Sequence, residues 1–213
     1  MHIYAFGSIC RGDVFPTSDI DLLAIVDGHD ERFNLNDYSI YSYRRIRGIW
    51  EEGNPFAWHL ALESKIIFAS DQFDFLKSLR EPARYVKGIE DCEKFFSLFA
   101  EAKKSIGATL ATSTFDLSMV FLAIRNFATC FSLGFLEKPN FSRRSSVGIG
   151  SYSLHLEQRT FEILERSRLL CTRAIGVPLA SSEIMAAIEE FPRIEAWMQR
   201  LLGSIKGNDQ RIQ

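Results

Sequence analysis

The spacing of apolar residues changes once along this chain, and that change restricts the fold more than any other feature. Up to about residue 80 the apolar residues come in short runs with near alternation, the pattern of strands. HIYAF (His2 to Phe6), DIDLLAIV (Asp19 to Val26) and DYSIYSY (Asp37 to Tyr43) read as strands. A short helix fits between Gly7 and Pro16, with Pro16-Thr17-Ser18 as a turn. After the turn signal Asn54-Pro55, PFAWHLALESKIIFAS reads as a helix running into a last strand at Ile66-Ile67-Phe68. From about residue 88 the period becomes helical. One stripe holds Cys92, Phe95, Phe96, Phe99, Ala102, Ile106 and Leu110, and a second holds Val120, Ile124, Phe127 and Phe131. A third includes Phe161, Ile163 and Leu164; a fourth runs from Ile184 through Ile188, Phe191, Ile194 and Trp197 to Leu201. Gly134 and Gly176 sit where helices can stop, and Asn140 to Ser153 is a long loop. The expected class is therefore α+β: a small mixed-sheet domain over residues 1–82, followed by an all-α helical bundle over residues 83–213.

With 46% hydrophobic and 24% charged residues, the chain is outside the disordered range. A formal net charge of -2 does not indicate a uniformly basic nucleic-acid binder. Cys10, Cys92, Cys130 and Cys171 are scattered, without C-x-x-C or zinc spacing, and read as reduced thiols. No basic segment followed by an apolar stretch opens the sequence, and no run approaches the roughly 18–20 apolar residues of a membrane span. A cytoplasmic location without membrane contact is expected.

The chemistry concentrates in FGSICRGDVFPTSDIDLL, Phe6 to Leu23. Strand side chains alternate faces, so Asp19 and Asp21 share a side, and Ile20 and Leu22 are expected to enter the core. Two carboxylates that close repel unless a cation lies between them, and magnesium suits an oxygen donor set that also holds phosphates. A Gly-Ser turn adds backbone N–H donors and lets a phosphate approach closely. Together these groups point to phosphoryl or nucleotidyl transfer.

Gly7-Ser8, Arg11-Gly12, Ser18 and Asp19-Ile20-Asp21, at this spacing, resemble the signature of the DNA polymerase β-type nucleotidyltransferase superfamily, closest to its minimal and antibiotic-modifying branch. The resemblance is specific over about residues 2 to 26, with a weaker echo through PFAWHLALESKIIF. It implies that Gly7 and Ser8, with Arg11 and Ser18, bind the nucleotide triphosphate, and that Asp19 and Asp21 bind Mg2+. It also implies a third carboxylate on a neighbouring strand, as metal ligand or general base. Asp37, at the start of DYSIYSY, is the candidate, Glu63 is a substitute, and the further alternative is a site without a standard third acid; Ser39, Tyr41 and Tyr43 cannot act as the base near neutral pH. The resemblance implies a helix before the first strand, whereas this sequence starts on the strand; a loosened sheet or a surface open to a partner is the expected consequence.

Arg44, Arg45, Arg47 and Lys65 are further candidates to face the triphosphate, against the simpler reading of a solvated basic surface. His59 and Glu63 are spaced i, i+4 and can pair on one helix face. Arg125-Asn126 resembles the start of the ribonuclease motif of HEPN domains. The histidine that motif requires is missing, and the next is His155, so RNA cleavage is not expected. The expected function is transfer of NMP from an NTP, with ATP the favoured donor, to a hydroxyl on a small molecule, protein or RNA. The alternative is a catalytically silent nucleotide- or partner-binding protein on the same fold. A homo-oligomer or a protein partner is compatible with either.

Overall fold

A computed structural model describes residues 1–13, 20–28 and 30–209, so Ser18 and Asp19 lie outside the described residues. The class is α+β, and the chain divides into two compact units, Met1–Val86 and Lys87–Gln213.

The first unit is built on a four-stranded sheet in the order β3-β2-β1-β4. Its strands are β1 (His2–Phe6), β2 (Asp21–Ile25), β3 (Tyr38–Tyr41) and β4 (Ser64–Ala69). β1 runs antiparallel to both β2 and β4, and β2 runs parallel to β3. Its helices are α1 (Ser8–Arg11), α2 (Tyr43–Glu51), α3 (Pro55–Glu63) and α4 (Phe75–Ser78). α2 emerges where the sequence pattern continues as strand. Ser42 caps it by accepting from the Arg45 N–H, and Ile46, Ile49 and Trp50 bury one face.

The core of this unit joins Tyr4, Phe6, Leu23 and Ile25 from the sheet to Ile46, Trp50, Leu60 and Leu76 from the helices. This corrects the expected facing of β2. Ile20 is 58% exposed and Leu22 half-buried, whereas Leu23 and Ile25 are fully buried. The face that takes the helices is the one carrying Asp21, which pairs directly with Phe6. Asp21 thus sits on the core side of the sheet but one residue beyond the core, at its open rim.

At the other end of β1, buried His2 is fixed by the Tyr43 hydroxyl at Nδ1 (2.6 Å) and by the Phe73 carbonyl at Nε2 (2.7 Å). The Tyr4 hydroxyl donates to Asp74 (2.9 Å) and accepts from the Leu76 N–H (3.0 Å). Burial pushes the Tyr4 phenol well above its ordinary range, so it stays protonated in this role. The segment after α4 is tied back by the indoles of Trp50 and Trp58, which donate to the carbonyls of Arg80 and Ala83.

The second unit contains α5 (Gly88–Ala108), α6 (Ser113–Phe135), α7 (Gln158–Arg173), α8 (Ser181–Glu189) and α9 (Phe191–Asp209). Val120, Ile124, Phe127 and Phe131 are buried as their spacing predicts. Phe95 and Phe96 are only half-buried, and Leu110 lies beyond α5 and is 53% exposed. The single helix expected from Ile184 to Leu201 is two helices. Pro192 has no N–H to continue the ladder, yet it fits a first turn, so α9 restarts there. By length and composition α6 is apolar enough to cross a membrane, contrary to the reading of the sequence. However, 67% of its most apolar stretch is buried within the protein, as in a core helix.

Candidate active site

The site grows from the end of β1. Gly7 has φ 76° and ψ -137°, a region open to glycine alone. A Cβ there would stand 2.9 Å from Asp21 Oδ2 and 3.8 Å from His59 Cε1. The missing side chain is therefore what lets the carboxylate and the imidazole close on the turn. Gly7 donates its N–H to the Glu63 carbonyl (3.0 Å) and accepts from the Cys10 N–H (3.0 Å), which starts α1. Ser8 opens that helix and is half-buried.

Asp21 is exposed at the first position of β2. The parallel register pairs Leu22 with Tyr38, so Asp21 and Asp37, each one residue earlier, occupy adjacent strand ends. Neighbouring strands are about 4.8 Å apart. An open groove of about 490 Å³ lies at those ends, lined by Ile20, Asp21, Leu35, Asn36, Asp37 and Tyr38. Asp37 is exposed, and its Oδ2 accepts from Asn34 Nδ2 (2.7 Å). Of the two candidates for a third carboxylate, Asp37 is the one beside Asp21 and open to the groove. No cluster of His, Cys, Asp or Glu with the makings of a complete metal site occurs among the described residues, which do not include Asp19.

Glu63 faces elsewhere. Its Oε2 lies 3.0 Å from His59 Nε2 and also accepts from Arg11 Nη1. Arg11 Nε meets Asp13 at 2.9 Å. The His59 ring packs edge-on against Phe6, 5.7 Å between centroids. Cys10, inside α1, points back to the Ala5 carbonyl (3.3 Å), and burial pushes its thiol up, partly offset by nearby Lys65. That makes it a packing residue rather than a nucleophile.

The remaining basic candidates do not gather here. Arg45 pairs with Glu52 (3.2 Å), and Arg47 lies over the Phe75 ring (5.2 Å), which packs beside His2 at the far end of β1. Arg44 is exposed on α2, and Lys65 is exposed on β4, paired in register with Ala5. In the helical unit, Arg125 donates to the Phe141 carbonyl (3.2 Å), an anchor for the loop after α6. The link that sequence reasoning missed is Glu63 to Gly7 and Arg11; its only local trace was the i, i+4 spacing of His59 and Glu63.

The family model described as nucleotidyltransferase domain matches residues 2–82, in keeping with the resemblance of this segment to the polymerase β-type superfamily. A nucleotide substrate and transferase chemistry follow in general terms, and such domains generally use a divalent metal. No curated protein and no solved structure matches the chain.

Proposed function

We propose that this protein is a magnesium-dependent nucleotidyltransferase that moves NMP from an NTP, with ATP the favoured donor, to an acceptor hydroxyl. The observation that carries the reading is the strand register that sets Asp21 and Asp37 side by side at the rim next to Gly7. The donor set fits a hard cation: both are carboxylates, both are exposed, and both border one groove. Asp21 would hold Mg2+ together with Asp19, and the ion would neutralise charge on the phosphates when bound. Gly7 and Ser8 offer backbone donors to the triphosphate, and Arg11 its guanidinium charge. Asp37 takes the proton of the acceptor hydroxyl. The freed oxygen bonds to the α-phosphorus, the bond to the β-phosphate oxygen breaks, and pyrophosphate leaves.

The test is pyrophosphate release from each labelled NTP with Mg2+, across tRNA, protein and small-hydroxyl acceptors. Wild type should turn over, chelation should abolish the signal, and Asp21→Asn should lower it about a thousandfold, a few kcal/mol of transition-state stabilisation. Calorimetric binding of Mg·NTP without turnover on any acceptor would favour the silent-binding alternative. Absence of both turnover and binding would sink the nucleotide reading.

A further inference from the structure

Glu63 is a poor choice for stability alone. It is the last residue of α3, at the negative end of the helix dipole, and its side chain is only 15% exposed. A carboxylate in that position is retained when a cation compensates it, and here Arg11 Nη1 donates to Oε2, with His59 Nε2 standing 3.0 Å from the same oxygen. The same residue accepts the Gly7 N–H through its main-chain carbonyl. It therefore ties together α3, the Gly-Ser turn and α1. His59, clamped on one side by Glu63, stands on the other against Gly7, where the Asp21 carboxylate also closes in.

Arg11 is the group most affected. Nε is committed to Asp13 and Nη1 to Glu63, whereas Nη2 has no hydrogen-bond partner among the described residues. A guanidinium held at both Nε and Nη1 keeps Nη2 as its remaining donor atom, fixed in position at low entropic cost. We propose that Glu63 is the positioning residue of the nucleotide site, holding Arg11 so that its free Nη2 meets the triphosphate. This assignment rests on the nucleotidyltransferase reading, and it removes Glu63 from the metal-ligand set.

An interaction made equally in ground and transition states changes KM and leaves kcat, whereas a lost metal ligand lowers kcat. The experiment measures calorimetric affinity for a non-hydrolysable Mg·ATP analogue, and Mn2+ affinity without nucleotide, in wild type, Glu63→Gln, Arg11→Ala and the double variant. Each single variant should bind the analogue about tenfold to a hundredfold more weakly, the loss of one charge-assisted hydrogen bond. The double variant should be no worse than either single, because both remove the same contact. Mn2+ affinity should be unchanged. Wild-type affinity in Glu63→Gln, additive losses in the double variant, or weakened Mn2+ binding in Glu63→Gln would each overturn the proposal. Failure of wild type itself to bind the analogue overturns the nucleotide reading and this inference with it. Should Glu63→Gln fail to fold, Arg11→Lys keeps the charge for Glu63 but lacks the fork. It should show the same loss, and undiminished affinity there overturns the proposal.

Discussion

The two units of this chain place their polar groups in opposite ways. In residues 1–86 the side chains of Arg11, Asp21, His59 and Glu63 converge at one rim of the sheet, and buried polar residues are almost absent, His2 being the one found among the described residues. In the helical unit the buried polar residues are mostly hydroxyls. Several are satisfied by their own helix, as Ser132 is by the Thr129 carbonyl and Ser167 by the Leu164 carbonyl. Its interior is aromatic, with Phe127 against Trp197 and Phe121 against Phe161. Convergent ions that cost stability mark a place kept for chemistry, whereas self-satisfied hydroxyls among aromatic rings mark a place kept for packing.

The comparison breaks first where packing is strongest. Phe127 is fully buried, so Phe127→Ala should cost about 3–5 kcal/mol, read as a lowered urea midpoint of the helical transition. A loss under about 1 kcal/mol would mean that the helical interior is not the packed region described. The site end should respond differently. Gly7→Ala forces a side chain into a glycine-only conformation at a cost of about 1–3 kcal/mol. The new methyl also drives Asp21 aside, so Mn2+ affinity should fall together with stability. If stability drops while metal affinity holds, Asp21 does not bind the metal from beside Gly7.

The legibility of the two regions differs for physical reasons. Gly7, Ser8 and Asp21 can be named from one motif within Phe6 to Leu23, a local pattern, and the structure adds the positive φ that a glycine at position 7 accommodates. Which face of β2 meets the helices is not local, and Ile20 and Leu22 were assigned the wrong side for that reason. α2 hid inside the run YSIYSYRRI because Tyr and Ile serve strands and helices alike; Ser42 and the spacing of Ile46, Ile49 and Trp50 were the available signals. The break between α8 and α9 was hidden because the apolar stripe keeps its face across Pro192. Glu63 gained its role through Arg11, 52 positions away, a contact no spacing rule reports. Asp37 is intermediate: the sequence placed it at a strand start, but only the pairing of Leu22 with Tyr38 sets it beside Asp21.

Within the helical unit, Arg125 sharpens the contrast, since it is a charged residue used for architecture. It donates to the Phe141 carbonyl, while Ser145 donates to the Arg125 carbonyl (2.8 Å) and Thr129 to the Asn140 carbonyl (3.0 Å). Removing the guanidinium should cost about 1–2 kcal/mol. Arg125→Ala should also speed hydrogen exchange at Asn140 and Ser142, with α5 unaffected. Exchange left at the wild-type rate across residues 140–153 would assign the anchoring to Thr129 and Ser145 instead.

The smallest effect lies at the start of α8. Glu183 forms an ion pair with Arg166 (2.5 Å) and accepts from the Ala180 N–H (3.0 Å), and these contacts hold its carboxyl below the ordinary glutamate range. A depressed folded pKa stabilises the protein above the unfolded value, and that contribution is lost as pH falls through the folded value. Both side chains retain solvent contact, so the pair is screened and its worth is modest. Glu183→Gln should lower the thermal midpoint by about 1–3 °C at neutral pH. The gap should close as the solution is acidified from about pH 4.5 to below the folded pKa, where the wild-type carboxyl is also neutral. A gap that persists or widens in acid would show that the glutamine fails through lost helix capping rather than lost charge, and Glu183 would then belong with the packing groups of the helical unit instead of its few ion pairs.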